Sequence, residues 1–300
     1  MPSKFLSIEF GRTLPTKKRG TLMLLLLKSI LLGIIQGLCE FLPVSSSGHL
    51  ALANSLFSLP EEVDDLALNV LLHLGTLAAV VLVYHKDIWD LIKSFFSLVK
   101  KLFSGKFRLA DCTLGERFVV LLFIAVLPLL PAAFLSGSIE VLMGYPFVIG
   151  IILIFNAAML YFSETLGKGN KNLEDVKPTN ALLVGLFQVV AILPGLSRSG
   201  STITGGLIQG FDRSLAVKFS FILSIPAIVG AAIFEMPDFF ASIPDTKILL
   251  TYLAGAFAAM LVGIAAIKLI TWISKHSTFR IFAYYCFAVG VLAIVWDILA

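Results

Sequence analysis

Two polar segments interrupt an otherwise apolar chain. Gly33 to His49 carries Gln36, Glu40, Ser45, Ser46, Ser47, Gly48 and His49; Gly185 to Gly200 carries Gln188, Gly195, Ser197, Arg198, Ser199 and Gly200. At a constant offset of 152, Gly33, Gln36, Ser45, Ser47 and Gly48 fall on Gly185, Gln188, Ser197, Ser199 and Gly200. Polar groups at membrane depth are costly, so a chain that carries them twice in register is expected to use them. Gln36 and Glu40 lie four residues apart and share one face of a helix that enters the break at Pro43. A glutamate in that place can be a hydrogen-bonding fixture, a proton carrier, a metal ligand or a general base. Ser45 is placed to cap the helix that follows. Ser46 and His49, three apart on its first turn, are expected to bring a hydroxyl and an imidazole together where backbone N–H groups point outward. Helix N-termini of this kind bind anions, phosphate above all.

The second segment repeats the plan with a cation added. Pro194-Gly195 breaks one helix, Ser197 caps the next, Arg198 sits at its anion-facing end, and Thr202 lies on the following turn. An arginine at membrane depth needs an anionic partner, and its planar fork suits phosphate oxygens. The alternative is an internal Arg198–Glu40 ion pair that ties the two segments together. The other histidines promise less. His73 falls inside an apolar stretch and is expected to be a hydrogen-bonded core residue, while His85 and His276 sit at span ends beside lysines.

These groups must be held by membrane helices. Of the 300 residues, 58% are hydrophobic and 14% charged, against about 25% charged in a typical soluble domain. The mean hydropathy is +0.96. The net charge of +4 comes without a stripe of basic and aromatic residues, so nucleic acid is not an expected partner. Cys39, Cys112 and Cys286 offer neither a disulfide framework nor ligand spacing. Residues 1–20 form a basic arm ending in Lys17-Lys18-Arg19 and Gly20. No small-residue cleavage site follows the apolar run Leu22 to Leu32, so the run reads as retained.

The expected fold is an all-α polytopic membrane protein with six transmembrane helices plus two re-entrant helix hairpins in an inverted-topology repeat. The first repeat, 21–164, holds a hairpin at 21–59 and spans at 66–84, 118–135 and 142–162. The second, 165–300, holds a hairpin at 180–210 and spans at 215–233, 248–270 and 279–299. Three spans separate the hairpins, so the two dip in from opposite faces and their tips meet near the midplane, where such repeats place a binding site. Ala67 to Ala78 also resembles Ala216 to Ala227, weakly. Basic residues from Lys86 to Arg117, Lys168 to Lys177, Arg213, and Lys268 to Arg280 gather on one face, which is therefore expected to be cytoplasmic. Glu61, Glu62, Asp64, Glu140, Glu235, Asp238 and Asp245, with Lys247, fall on the other. Lys4, Arg12, Lys17, Lys18 and Arg19 argue against this orientation unless Leu22 to Phe41 spans. Ile88 to Phe103 reads as an interfacial amphipathic helix or a solvated linker.

Glu40-Phe-Leu-Pro-Val-Ser-Ser-Ser-Gly-His49 together with Pro194-Gly-Leu-Ser-Arg-Ser-Gly-Ser-Thr202 resembles the undecaprenyl-diphosphate phosphatases, the bacitracin-resistance proteins, and the resemblance covers nearly the whole chain after the arm. It implies hydrolysis of undecaprenyl diphosphate to undecaprenyl phosphate and inorganic phosphate, in a bacterial plasma membrane, with the site opening to the outer face. The family's Glu/Gln-x-x-x-Glu pattern falls on Gln36 and Glu40, its serine nucleophile on Ser46, its histidine on His49 and its phosphate-binding arginine on Arg198. A divalent cation, magnesium or calcium, is implied at Glu40 and Gln36. Gln36 stands where many members carry Glu.

On this reading Arg198 and the two helix N-termini (Ser45, Ser47, Gly48, Gly195, Ser197, Ser199, Gly200 and Thr202) hold a lipid diphosphate. Either Ser46 attacks with His49 as acid and base, or His49 attacks. Membrane lipids are the surroundings, and a homodimer is compatible with the sequence. The rival is a transporter of a polyprenyl phosphate or another anion, for which inverted repeats with broken helices are equally a signature.

Overall fold

The computed structural model describes residues 16–56, 65–132, 144–167, 169–241 and 245–299. Among these residues the chain is helical without a strand, and an isolated bridge joins Lys171 to Phe211. Helices α1 (Thr16–Phe41) and α2 (Ser46–Leu56) meet at the first polar break, and α3 (Asp65–Val83) follows. Then come α4 (His85–Phe103), α5 (Leu114–Val126), α6 (Leu129–Ala132) and α7 (Pro146–Leu166). Helices α8 (Pro178–Val190) and α9 (Arg198–Ile208) meet at the second break, before α10 (Arg213–Ala241), α11 (Thr246–His276) and α12 (Arg280–Leu299). Local chemistry sets these limits. Pro146 and Pro178 open their helices at positions where a missing N–H costs nothing. Thr113 caps α5 through a reciprocal box with Glu116.

Seven helical segments are long and apolar enough to cross a bilayer, with mean hydropathy of 2.0 to 2.3: Gly20–Phe41, Leu66–Val83, Leu114–Ala132, Pro146–Leu166, Arg213–Phe239, Thr246–His276 and Arg280–Leu299. Their outward faces are apolar, with Leu24, Phe155, Phe257, Phe287 and Leu292 exposed. The chain is a multi-pass membrane protein. Six of these segments cover the expected spans, although Leu114, Arg213 and His276 carry them further. The seventh, Gly20–Phe41, is the first arm of the expected 21–59 hairpin and is by itself as long and apolar as the spans. Leu22 to Phe41 belongs to one unbroken helix beginning at Thr16, because nothing from Lys17 to Phe41 breaks the ladder. Its counterpart α8 is only 13 residues long. At the offset of 152, Pro178 corresponds to Leu26, so α1 extends ten residues beyond the part that α8 repeats. Residues 1–15 of the basic arm, the ends of the 21–59 hairpin and of the 118–135 and 142–162 spans, and the acidic markers Glu61, Glu62, Asp64 and Glu140 lie outside the described residues.

Close approach of backbones holds the bundle together. Without a hydrophobic force between helices in lipid, small residues that admit tight van der Waals contact do that work. Along α11, Gly255, Ala256 and Ala259 form a ridge clamped between Gly33 and Gly37 of α1 and Gly75 of α3. A Cβ at Gly33 would collide with the carbonyl of Gly255; one at Gly185 of α8 would collide with the carbonyl of Ala125 of α5. The same glycine of each polar segment thus seats its helix on a helix of the other half. Helices α7 and α12 cross reciprocally: a Cβ at Gly150 would lie 2.6 Å from the Gly290 carbonyl, and one at Gly290 would lie 2.7 Å from that of Gly150.

Helix α4 carries its lysines and aromatics on separate flanks, with Trp89, Phe96 and Phe103 exposed and Leu98 buried. Buried Glu116 of α5 ties it down, accepting from Ser97 Oγ at 2.7 Å and Lys101 Nζ at 2.6 Å. Lys218 of α10 adds a bond to Asp87 at 2.6 Å.

Candidate active site at the paired helix breaks

The two breaks meet tip to tip. Gly195 lies in the left-handed region at φ 89°, and its N–H donates to Ser47 Oγ at 3.2 Å. In return Ser199 Oγ donates to the Leu42 carbonyl at 3.3 Å. Ser45 caps α2 by accepting from Gly48 N–H at 3.1 Å, and Ser197 caps α9 by accepting from Gly200 N–H at 3.0 Å. Ser45 itself has φ 76°, a conformation that costs a non-glycine residue about 1 kcal/mol or more and that clusters at functional sites. Asn156 of α7 reaches under both tips: its Nδ2 donates to the Pro43 carbonyl at 3.0 Å, and its Oδ1 lies 3.1 Å from where a Gly200 Cβ would stand. Phe41, packed edge-on against Phe221 of α10 at 5.4 Å, closes the end of α1 beneath the turn.

Above this floor lies a cavity of about 160 Å³ walled by Glu40, Ser46, Ser47, His73, Ser197 and Arg198, with Cys39 alongside. Glu40 is its centre. One carboxylate oxygen accepts from Ser46 Oγ at 2.7 Å and from Gln36 Nε2 at 3.0 Å, and the other is paired with Arg198. The Glu40 side chain is 3% exposed and that of Arg198 24%. The internal pair offered as the alternative for Arg198 is therefore present. It joins α1 to α9 and leaves the remaining guanidinium surface facing the cavity.

Expected residues divide unequally. Gln36, Glu40, Ser46, Ser47, Ser197 and Arg198 come together; Ser45, Gly48, Gly195, Ser199 and Gly200 build the turns behind them. His49 does not converge with Ser46. Ser46 faces Glu40, whereas the His49 ring turns away, donates from Nδ1 to the Ser45 carbonyl at 2.7 Å, and stacks on Tyr285 with Nε2 2.8 Å from its hydroxyl. The sharp turn at Ser45 is the cause, since its carbonyl captures the imidazole one turn later. Thr202 also faces elsewhere, bonded to the Arg198 carbonyl at 2.9 Å and to Ser220 Oγ at 2.6 Å.

His73 is the residue that the sequence reading set aside. Its Nδ1 donates to the Asn69 carbonyl at 2.9 Å, which aims Nε2 at Glu40, 3.9 Å from the carboxylate. At 41% exposed it is open to the cavity rather than a closed core residue. The repeat could not reveal it, because the second half has Ile222 at the matching place.

For a divalent cation the donor set is oxygen: the Glu40 carboxylate and the Ser46 hydroxyl on the cavity wall and, behind it, Gln36 Oε1, a buried atom with no hydrogen-bond partner among the described residues. That suits a hard cation completed by phosphate oxygens. No cluster of three His, Cys, Asp or Glu side chains able to hold a metal occurs among the described residues.

The fold and site define a membrane protein with a polar, arginine-bearing cleft built from two matched helix breaks. The profile of the family described as Bacitracin resistance protein BacA matches residues 29–292, and the chain belongs to that family. It is similar to the undecaprenyl-diphosphatase of Alkaliphilus metalliredigens (strain QYMF), 40% identical over 274 residues that cover 91% of this chain and 98% of that one. The undecaprenyl-diphosphatase of Methanosphaera stadtmanae is 37% identical over 280 residues, 92% and 99% of the two chains. That of Halothermothrix orenii is 37% identical over 276 residues, 89% and 96%.

Proposed function

We infer that this chain is an undecaprenyl-diphosphate phosphatase: it hydrolyses the lipid diphosphate to undecaprenyl phosphate and inorganic phosphate, returning the carrier for cell-wall synthesis and conferring bacitracin resistance. The observation that carries the chemistry is Ser46 Oγ, bonded to Glu40 at 2.7 Å in a cavity that Arg198 also lines. In the proposed mechanism Arg198 turns from Glu40 to the terminal phosphate, and the N-termini of α2 and α9 take up further phosphate charge. Ser46 Oγ attacks the terminal phosphorus and gives its proton to Glu40. The bond from that phosphorus to the bridging oxygen breaks, and the bridging oxygen leaves with the electron pair as undecaprenyl phosphate. Water then cleaves the phosphoserine, releasing phosphate and restoring the hydroxyl. A magnesium or calcium ion held by Glu40 and Gln36 Oε1 would neutralise charge on the phosphate oxygens. His49, bonded to Ser45 and Tyr285, keeps the α2 turn in place.

The finer architecture belongs to the same proposal. The hairpins α1–α2 and α8–α9 are re-entrant, the two halves form an inverted repeat, and six helices span the plasma membrane with the cleft open to the outer face. The reciprocal glycine seats and tip contacts support this, with Thr16 to Leu25 as an extension of α1 past the repeated part.

Purified protein in detergent should release inorganic phosphate from undecaprenyl diphosphate. Movement of the lipid across vesicles with no release in detergent would instead favour the transporter. His73→Ala is expected to slow release about tenfold, the lower end of the scale for losing a group that supports a functional side chain from behind, with phosphate colorimetry as the readout. An unchanged rate would make His73 a bystander.

A further inference from the structure

Among the described residues the cavity offers oxygen donors for a cation but no unpaired negative charge. Among the described residues that wall it, the charged side chains are Glu40 and Arg198, and they are paired with each other. The hydroxyls of Ser46, Ser47 and Ser197 are neutral, and so is Gln36, which stands behind the wall with its Nε2 bonded to Glu40. His73 adds no negative charge in either protonation state. A divalent cation entering alone would have to displace Arg198 from Glu40, the one carboxylate among those described residues, and leave the guanidinium beside it. Divalent cation affinity rises with the number of charged ligands, and magnesium in particular is commonly held by one or two carboxylates together with substrate phosphates. A diphosphate supplies what is missing: negative oxygens for the cation and an anionic partner for Arg198.

Resting on the phosphatase reading, we propose that Gln36 makes this a site where the cation is held only together with the diphosphate, so that the protein takes up a metal–diphosphate complex and has no resident metal. Gln36 holds Glu40 through Nε2 at 3.0 Å, and its Oε1, buried and without a hydrogen-bond partner among the described residues, would become the neutral ligand for that complex once the amide rotates. A carboxylate at position 36 would sit one helical turn from Glu40 and leave a net negative site once Arg198 is counted.

The test uses manganese as a spectroscopic stand-in for a hard divalent cation and reads binding rather than turnover. The full-length protein in detergent is titrated with Mn2+ while the electron paramagnetic resonance signal of free Mn2+ is followed. This is done with and without a non-hydrolysable lipid methylene-bisphosphonate, whose own binding is tracked by a radiolabel. Without the analogue, wild-type protein should leave the signal of free Mn2+ undiminished. With it, signal should be lost beyond that removed by analogue micelles alone, at one Mn2+ per chain, and Glu40→Gln should abolish that excess. Gln36→Glu should bind Mn2+ without the analogue, at least about tenfold more tightly than wild type. Stoichiometric Mn2+ on wild type lacking the analogue, unaltered in Gln36→Glu, would overturn the proposal while leaving the phosphatase intact. Failure of the radiolabelled analogue to bind at all would instead strike the phosphatase reading.

Discussion

Arg198→Ala and Glu40→Gln proteins should each release phosphate from undecaprenyl diphosphate at least about 10³-fold more slowly than the parent chain, the scale associated with removing a charge-stabilising arginine or a member of a catalytic unit. The variants must be judged against the ion pair that the two residues form, because removing one partner of a buried pair strands the other at a cost of about 3–5 kcal/mol. The double variant Glu40→Gln, Arg198→Ala separates the two explanations. Were the pair only a clasp between α1 and α9, cancelling both charges would recover thermal stability and activity together. If both groups act on the phosphate, the double variant regains stability yet stays as slow as the poorer single one, since residues that act as a unit do not lose activity additively. Thermal unfolding followed beside phosphate release decides between them. Near-normal release by either single variant would end the proposed mechanism.

How much of this was legible in the sequence depends on whether the physics is local. The helix breaks, their serine caps and the meeting of the two segments follow from proline, glycine and serine placed twice in register in an apolar chain, and Ser45 and Ser197 cap as their positions require. The Arg198–Glu40 pair was open to prediction too, because an arginine at depth must find an anion. Side-chain direction was not legible. Ser46 and His49 share a helix turn, yet the positive φ at Ser45 rotates the start of α2 so that the hydroxyl faces Glu40 and the imidazole faces Tyr285, 236 residues away in the chain. His73 was missed for a related reason. Its proximity to Glu40 comes from α1 and α3 both packing on α11, a contact that no spacing rule encodes. The length of α1 shows a different limit. Hydropathy marked Leu22 to Phe41 correctly as helical, but a helix of that length is compatible with either spanning or re-entry, and no membrane-independent feature of the sequence chooses.

Gly33→Ala and Gly185→Ala are expected to destabilise the protein similarly, each by at least about 3 kcal/mol, near the upper range for overpacking a tight contact. In each case the added methyl would collide with backbone, the Gly255 carbonyl for one and the Ala125 carbonyl for the other, rather than with the movable end of a side chain. Rotamer changes cannot relieve that, so the two helices must separate along their length. Gly230→Ala is the control: it lies within α10 with open space where its Cβ would stand, and it should unfold at or above the parent temperature. Function is coupled to the same seats. Separating α1 from α11 shifts Glu40 away from His73, and separating α8 from α5 shifts the tip that carries Arg198, so release should fall in both variants through opposite halves of one cleft. Equal losses from positions 152 residues apart are what a duplicated hairpin predicts. If Gly185→Ala proved as stable and active as Gly230→Ala while Gly33→Ala failed, only the first seat would be structural, and the likeness between the halves would stop at their sequences.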